Sequence, residues 1–303
     1  MVGSRGAAAP HEGAFERYAV TARPGLEAAL AQNLPAAARG TGSLAEALEY
    51  AVLSPGKRIR PLVAMAAGDL LRARPAGPLA VAVAVEYVHA ASLVLDDLPS
   101  MDDAERRRGR AALHRVYGVA TAELASVTLL ARAFETVARE SAIPPAARTR
   151  ILEELAGAVG AAGCCGGQAA DLSADPGAVN LEDLEAIHAR KTGALFVAAV
   201  RGGALAAGAG EGPLEALTIY SRNLGLAFQI TDDLLDVEGD PGALGKDAHR
   251  DAHRANFATA LGAETCRALV AELLETAVAA LSSFRGRAAV LVDVARFVRE
   301  RRS

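Results

Sequence analysis

Between Leu79 and Leu98 the chain has no consistently polar face: Val81, Val83, Val85, Val88, Leu93 and Val94 point to every side of a helical wheel. A helix that is apolar all round is buried on all sides, so this stretch predicts a central helix around which others pack. Its polar interruptions are Glu86, Tyr87, His89 and Ser92, and a histidine so placed reads first as a satisfied core residue. The run ends in Asp96-Asp97-Leu98-Pro99-Ser100-Met101-Asp102-Asp103. Pro99 disfavours helix at Leu98, which puts Asp96 and Asp97 in the last turn. That end is the negative pole of the helix, where carboxylates are unfavourable unless cations accompany them. Asp96 and Asp102 are separated by about 240° on an ideal helix, so they share a site only if the break at Pro99 folds the chain back.

A second acidic run, Thr231-Asp232-Asp233-Leu234-Leu235-Asp236, closes another helical pattern that starts near Pro213 and carries Leu214, Leu217, Leu224 and Phe228. Asp232 and Asp236 are four apart and project from one face, about 6 Å from each other. Asp233 is turned away by about 100°. Two acidic ends on separate helices suggest a divalent-metal site.

Composition settles the class of fold. Of the 303 residues 51% are apolar, only 4% are aromatic and none is Trp, so the interior must be built from Ala, Leu and Val. Ala and Leu are strong helix formers, and the chain reads as all-α. We expect a disordered leader over residues 1–14 and a single domain over 15–303. A net charge of −4 argues against nucleic acid as the main partner. Cys164, Cys165 and Cys266 fit neither a disulfide framework nor a metal spacing. With no signal-like opening and no run of about 18 uncharged apolar residues, the expectation is a cytoplasmic protein without a transmembrane segment.

Basic groups cluster near the acids. Ser54-Pro55-Gly56-Lys57-Arg58-Ile59-Arg60-Pro61 places three cations at a helix start, a position that favours anions and equally suits a solvated turn. Arg106-Arg107-Arg108-Gly109-Arg110 follows the first acidic run; it is either a salt-bridged patch or part of a polyanion site. Residues 111–139 and 144–165 read as Ala-rich helices, the latter ending in Gly163-Cys164-Cys165-Gly166-Gly167-Gln168-Ala169-Ala170-Asp171. Glycines in a helical pattern point to close approach by a helix or ligand. Asn180 with Asp183 resembles an N-cap, and that helix carries His188, Arg190, Lys191, Thr192 and Gly193. A charged segment, Lys246 to Arg254, reads as a lid or a solvated loop. The arginines from 296 to 302 read as solvated.

Taken together, GKRIRP, SLVLDDLPSMD with RRG, GGQAADL, KTG and FQITDDLLD with GK resemble the ordered motif set of trans-isoprenyl diphosphate synthases, over about residues 43–262. The resemblance implies an all-α isoprenoid-synthase fold around a deep cavity, a homodimer, Mg²⁺ as cofactor, and an allylic diphosphate and isopentenyl diphosphate as substrates. It implies that Asp96, Asp102 and Asp232 bind metal with Asp97, Asp233 and Asp236 in support. Arg107, Lys191 and Lys246 would contact the allylic diphosphate. Lys57, Arg60, His89 and Arg108 would hold isopentenyl diphosphate, and Gln168, Asp171, Thr192, Phe228 and Gln229 would line the reaction centre.

Before Asp96 stand the small residues Ala91 and Ser92, one turn deeper on its side of the helix; an aromatic there would floor the cavity early. The stretch HAASLVLDDLPSMDDAE looks like bacterial geranylgeranyl diphosphate synthases, implying a C20 product. Farnesyl or longer products, and a non-catalytic partner subunit, are the alternatives. Ala111, Ala112, His253, Arg254 and Asn256 depart from the family pattern without removing a metal ligand. A terpene cyclase would have no use for Lys57, Arg60 and His89, and a purely structural or calcium-binding helical protein is the plain alternative to all of these.

Overall fold

The computed structural model describes residues 13–35, 42–175, 179–238 and 256–301. Residues 1–12 of the leader expected over 1–14, and Lys246, His253 and Arg254, lie outside them. Ala14 opens the first helix and Gly13 is its N-cap, the Gly13 N–H donating to the Glu16 carboxylate at 3.0 Å.

In chain order the helices are α1 (Ala14–Gln32), α2 (Ser43–Val52), α3 (Ile59–Leu70), α4 (Ala76–Asp96), α5 (Leu113–Tyr117), α6 (Val119–Arg139) and α7 (Pro145–Val159). There follow α8 (Cys164–Ser173), α9 (Leu181–His188), α10 (Ala194–Ala206), α11 (Glu211–Glu238), α12 (Phe257–Leu261), α13 (Ala263–Ala280) and α14 (Ala289–Glu300). Between α4 and α5 a short antiparallel hairpin pairs β1 (Arg106–Arg107) with β2 (Arg110–Ala111). The helical fold that the Ala- and Leu-rich composition implies is the one observed.

Three boundaries differ from the periodicity reading. The stretch 111–139 is two helices, because Gly118 adopts φ 83° and breaks the chain between α5 and α6. The helix read over 144–165 stops at Val159, and the glycine-rich segment after it forms its own helix, α8. Residues Ala189–Gly193 form a π-helical turn joining α9 to α10; such turns recur at functional sites, and a hydrophobic period of 3.6 gives no sign of them.

Helix α4 is the hub. It packs against α3, α6 and α10, and valines and alanines on every side of it are buried. Among the described helices it alone reaches the length and hydropathy of a membrane span, but 72% of that stretch is buried within the fold. Its few polar groups are satisfied or useful: the Tyr87 hydroxyl donates to the Leu30 carbonyl at 2.7 Å, tying α4 to α1. On α11 the Tyr220 hydroxyl does the same toward Leu291 of α14 at 2.8 Å. These ties fix the acid-bearing helices against the bundle, and around their ends the polar groups collect.

Candidate active site

The first acidic end is built by the break that Pro99 imposes. Asp97 caps α4, and the chain turns back so that the Asp102 N–H donates to the Asp96 carbonyl at 2.9 Å and the Ala104 N–H to that of Asp97 at 3.1 Å. The two aspartates six residues apart are thereby returned to one another. Burial pushes the Asp96 carboxyl up to about 6; Asp102 and Asp97 add to the rise while Lys191 and Arg107 oppose it. Asp97 is held from the hairpin, accepting from Arg107 Nε at 2.9 Å and also from its Nη2. Arg107 therefore neutralises a neighbouring carboxylate. The hairpin itself is clamped to α2: Arg110 stacks 3.8 Å over the Tyr50 ring, whose hydroxyl donates to the Ala111 carbonyl at 2.8 Å. That contact uses only the backbone of Ala111, so the family departure at this position leaves it intact.

The three acids of α11 have separate fates. Asp236 is exposed. Asp232 faces Arg301 at 2.8 Å. Asp233 turns inward, as its 100° offset requires: it accepts from Gln229 Nε2 and from the Phe257 N–H, each at 2.8 Å. Burial pushes its carboxyl up to about 7, against those two hydrogen bonds. Both Asp233 oxygens are thus engaged in fixing α12 to α11. Asn256, another family departure, caps α12 by accepting from the Thr259 N–H at 2.7 Å.

Unlike the solvated arginine that the sequence implies, Arg301 has a side chain only 8% exposed, with its guanidinium 4.3 Å from the Phe228 ring centroid. No local pattern signals a contact so distant in sequence. Burial, then the nearby Arg301, lowers the Lys57 ammonium from its ordinary value.

The basic residues surround a cavity of about 460 Å³ lined by Gly56, Lys57, Arg60, His89, Arg108 and Asp232, among others. Arg60 lies 4.6 Å from the Phe196 ring centroid and 5.6 Å from that of Phe228, spanning α3, α10 and α11. His89 lines the same cavity. Its Nε2 lies 3.4 Å from both Arg60 Nη1 and Arg108 Nη2. Guanidinium groups only donate, so Nε2 is the accepting nitrogen of a neutral ring; burial and then Arg60 and Arg108 hold it well below the ordinary histidine range. Gly56 lets the Arg108 guanidinium lie against the loop: a Cβ there would sit 2.7 Å from Arg108 Nη1 and push that side chain aside.

Behind the loop, Arg58 adopts φ 54°, ψ 35°. A non-glycine residue in that region is strained by about 1–2 kcal/mol, and charged hydrogen bonds are worth about 1.5–3 kcal/mol each. Several hold Arg58: Nη1 to Glu86 at 2.5 Å, Nε to Glu27 at 2.9 Å, and Nη2 to the carbonyls of Val52 at 2.7 Å and Ser54 at 3.0 Å. The hydrogen bonds win, and Glu86, the one carboxylate deep in α4, has its cation.

The remaining predicted groups meet where α8, the π-turn and α11 cross. Gly167 lets α8 approach the turn, since a Cβ would fall 2.3 Å from the Lys191 nitrogen. Lys191 pairs with Asp171 at 2.6 Å, and the Thr192 hydroxyl donates to Gln229 Oε1 at 2.7 Å. Gln168 is buried; its Nε2 lies 3.7 Å from Met101 Sδ, and its Oε1 has no partner among the described residues. Within those residues no three His, Cys, Asp or Glu side chains form a closed metal cage. The donor set fits a divalent ion that takes a few carboxylates and completes its shell with water and substrate oxygens; Asp96 and Asp102 on one side and Asp232 on the other are the carboxylates that would hold it.

A helical bundle whose two acidic helix ends adjoin a cationic cavity defines a class of enzyme that handles diphosphates beside an apolar interior. The chain matches the family described as polyprenyl synthetase over residues 41–279, and it belongs to that family. It is 39% identical over 292 residues to a chloroplastic geranylgeranyl pyrophosphate synthase of Arabidopsis thaliana, covering 94% of this chain and 81% of the relative. To a farnesyl diphosphate synthase of Escherichia coli it is 43% identical over 237 residues, covering 77% and 79%. Among solved structures, an FPP/GFPP synthase from Zymomonas mobilis superposes with a TM-score of 0.85 at 33% identity, covering 94% of this chain and 98% of that one. The protein is a trans-prenyltransferase of the isoprenoid-synthase fold. The family uses a divalent metal and joins an allylic diphosphate to isopentenyl diphosphate.

His188, at the base of the π-turn, is buried with both ring nitrogens unpartnered among the described residues, and stacks on Phe257 at 5.4 Å. Burial, foremost, lowers it from 6.5 to about 4. The unfolded chain binds the proton that the folded one refuses, so this contribution is complete above pH 6.5 and is lost as pH falls toward 4. Urea unfolding of His188→Phe is predicted to lose less stability than wild type between those two pH values; an identical pH dependence would contradict the assignment.

Proposed function

We propose that this enzyme is a Mg²⁺-dependent synthase that extends an allylic diphosphate with isopentenyl diphosphate and releases geranylgeranyl diphosphate, C20. The observation that carries the chain length is the small-residue seam below the first acidic end. Ala91 is fully buried against α6, where the Ser126 hydroxyl donates to the Ala91 carbonyl at 3.3 Å. The facing residues Ala122, Ala125 and Ser126 are equally small and buried. Ser92 is partly exposed, with its hydroxyl turned to the His89 carbonyl at 2.9 Å. No aromatic of α4 obstructs this level.

Asp96, Asp102 and Asp232 are the residues proposed to hold the metal, with Asp97 kept in place by Arg107 and Asp236 in support. When bound, Mg²⁺ supplies charge neutralisation for a departing diphosphate. The chain's own groups do the rest. Heterolysis of the allylic C–O bond leaves the electron pair on the diphosphate and a carbocation behind. Lys191 and Arg107, already beside Asp96, are placed to exchange their carboxylate partners for diphosphate oxygens. The Thr192–Gln229 pair and Phe228 border the cation, and the buried Ala and Leu walls exclude the water that would quench it. Lys57, Arg60, His89 and Arg108 orient isopentenyl diphosphate, whose double bond attacks. The proton lost from the adduct goes to the diphosphate that left, so no side chain is required as a base. Lys246 would add a further contact to that leaving group.

Purified protein given Mg²⁺, farnesyl diphosphate and isopentenyl diphosphate is expected to yield geranylgeranyl diphosphate on chromatography. Turnover of shorter primers that stops at C15, or elongation past C20, would sink the length assignment in opposite directions.

We also infer a homodimer working in the cytoplasm. Val116, Val119, Leu124 and Val127 of α5 and α6 are large apolar side chains left exposed, as at a protein interface, and all three cysteines are free thiols. Sedimentation is expected to give twice the 31.0 kDa chain mass, and Leu124→Glu with Val127→Glu to give monomer. A wild-type monomer would refute the dimer.

A further inference from the structure

Arg23, on α1, has no place in the motifs and does not line the 460 Å³ cavity. It nevertheless reaches across to the loop before α3, where Nη1 donates to the Gly56 carbonyl at 2.8 Å and Nη2 to the Lys57 carbonyl at 3.0 Å. All described peptides are trans, so each carbonyl points opposite to the N–H of its own peptide plane. Holding the Gly56 and Lys57 carbonyls outward turns the Lys57 and Arg58 N–H groups the other way, toward the cavity that Gly56, Lys57 and Arg58 line. Neither N–H has a protein partner among the described residues. Successive amides so aligned, ahead of a helix N-terminus, form an anion-binding concavity.

Arg58 holds the same loop from its buried side, with its fork on the Val52 and Ser54 carbonyls and on two carboxylates from different helices. Arg60 lines the same cavity, and its Nε is buried without a partner among the described residues, an unmet donor beside the loop. We propose that Arg23 and Arg58 are positioning residues that brace the loop so its backbone amides bind the diphosphate of the homoallylic substrate. Arg23 acts from the surface and Arg58 from the core. The proposal rests on reading this cavity as the isopentenyl diphosphate site.

The two residues predict different side effects. Arg58 is locked to Glu86 and Glu27, and its removal strands the buried Glu86 carboxylate and threatens the fold. Arg23 is partly exposed and touches no carboxylate among the described residues, so Arg23→Ala is the clean probe. Glu86→Gln is the second, keeping Arg58 in place while weakening its anchor.

The test is steady-state kinetics with isopentenyl diphosphate and the allylic substrate varied in turn. Arg23→Ala is expected to raise KM for isopentenyl diphosphate about tenfold, the loss of one charged hydrogen-bond set. KM for the allylic diphosphate, kcat and melting temperature should stay near wild type. Arg23→Lys, which keeps one donor, should recover part of the loss, and Glu86→Gln should shift the same KM in the same direction. An unchanged KM for isopentenyl diphosphate in Arg23→Ala, or equal rises in both KM values, would overturn the brace. Wild-type protein that turns over no substrate pair would overturn the synthase reading instead, a failure seen before any variant is made.

Discussion

Carboxylates at the negative end of a buried helix are the constraint from which this structure follows. Helix α4 is apolar on all sides and closes on Asp96 and Asp97, where the helix dipole and the loss of water both oppose charge. The surroundings answer with cations: Arg107 on Asp97, Lys191 near Asp96, and Arg58 on Glu86 further down the same helix. The hairpin after α4, the π-turn and the loop before α3 each deliver one of these. The balance is incomplete, since Asp96 remains pushed up to about 6; a divalent ion is the remaining charge that would relieve it.

The same arrangement separates two tasks. Resting ion pairs such as Lys191–Asp171 and Arg107–Asp97 keep cations in place without a ligand. They stand near the acids and are suited to a diphosphate that arrives with metal. Arg60 and Arg108 flank neutral His89, and these two with Lys57, in the same cavity, have fewer carboxylate partners, which suits a diphosphate bound by cations and backbone amides. Isoprenoid coupling needs this asymmetry, because one diphosphate must leave and the other must stay.

Much of this was legible in the sequence because it is local. The all-round apolar run announced α4, Pro99 announced the return of Asp102, and Asn180 capped its helix as read, accepting from the Asp183 N–H at 2.9 Å. The Asp233 offset was also visible, and the inward turn it implies ends on the Phe257 N–H. What periodicity could not show was contact between distant segments. Arg301 against Asp232, Arg23 against the Gly56 carbonyl and His188 against Phe257 depend on how helices pack. The π-turn at Ala189–Gly193 and the strained Arg58 were hidden for a related reason: tertiary hydrogen bonds override local preference there.

The central claim is that the ends of α4 and α11 hold an allylic diphosphate jointly through metal. The most direct measurement is calorimetric titration of the protein with a non-ionisable allylic thiodiphosphate, with and without Mg²⁺, for wild type, Asp96→Asn and Asp232→Asn. The account predicts Mg²⁺-dependent binding in wild type and loss of that dependence in each variant, with circular dichroism unchanged. Equally tight binding without Mg²⁺, or wild-type affinity in both variants, would contradict it.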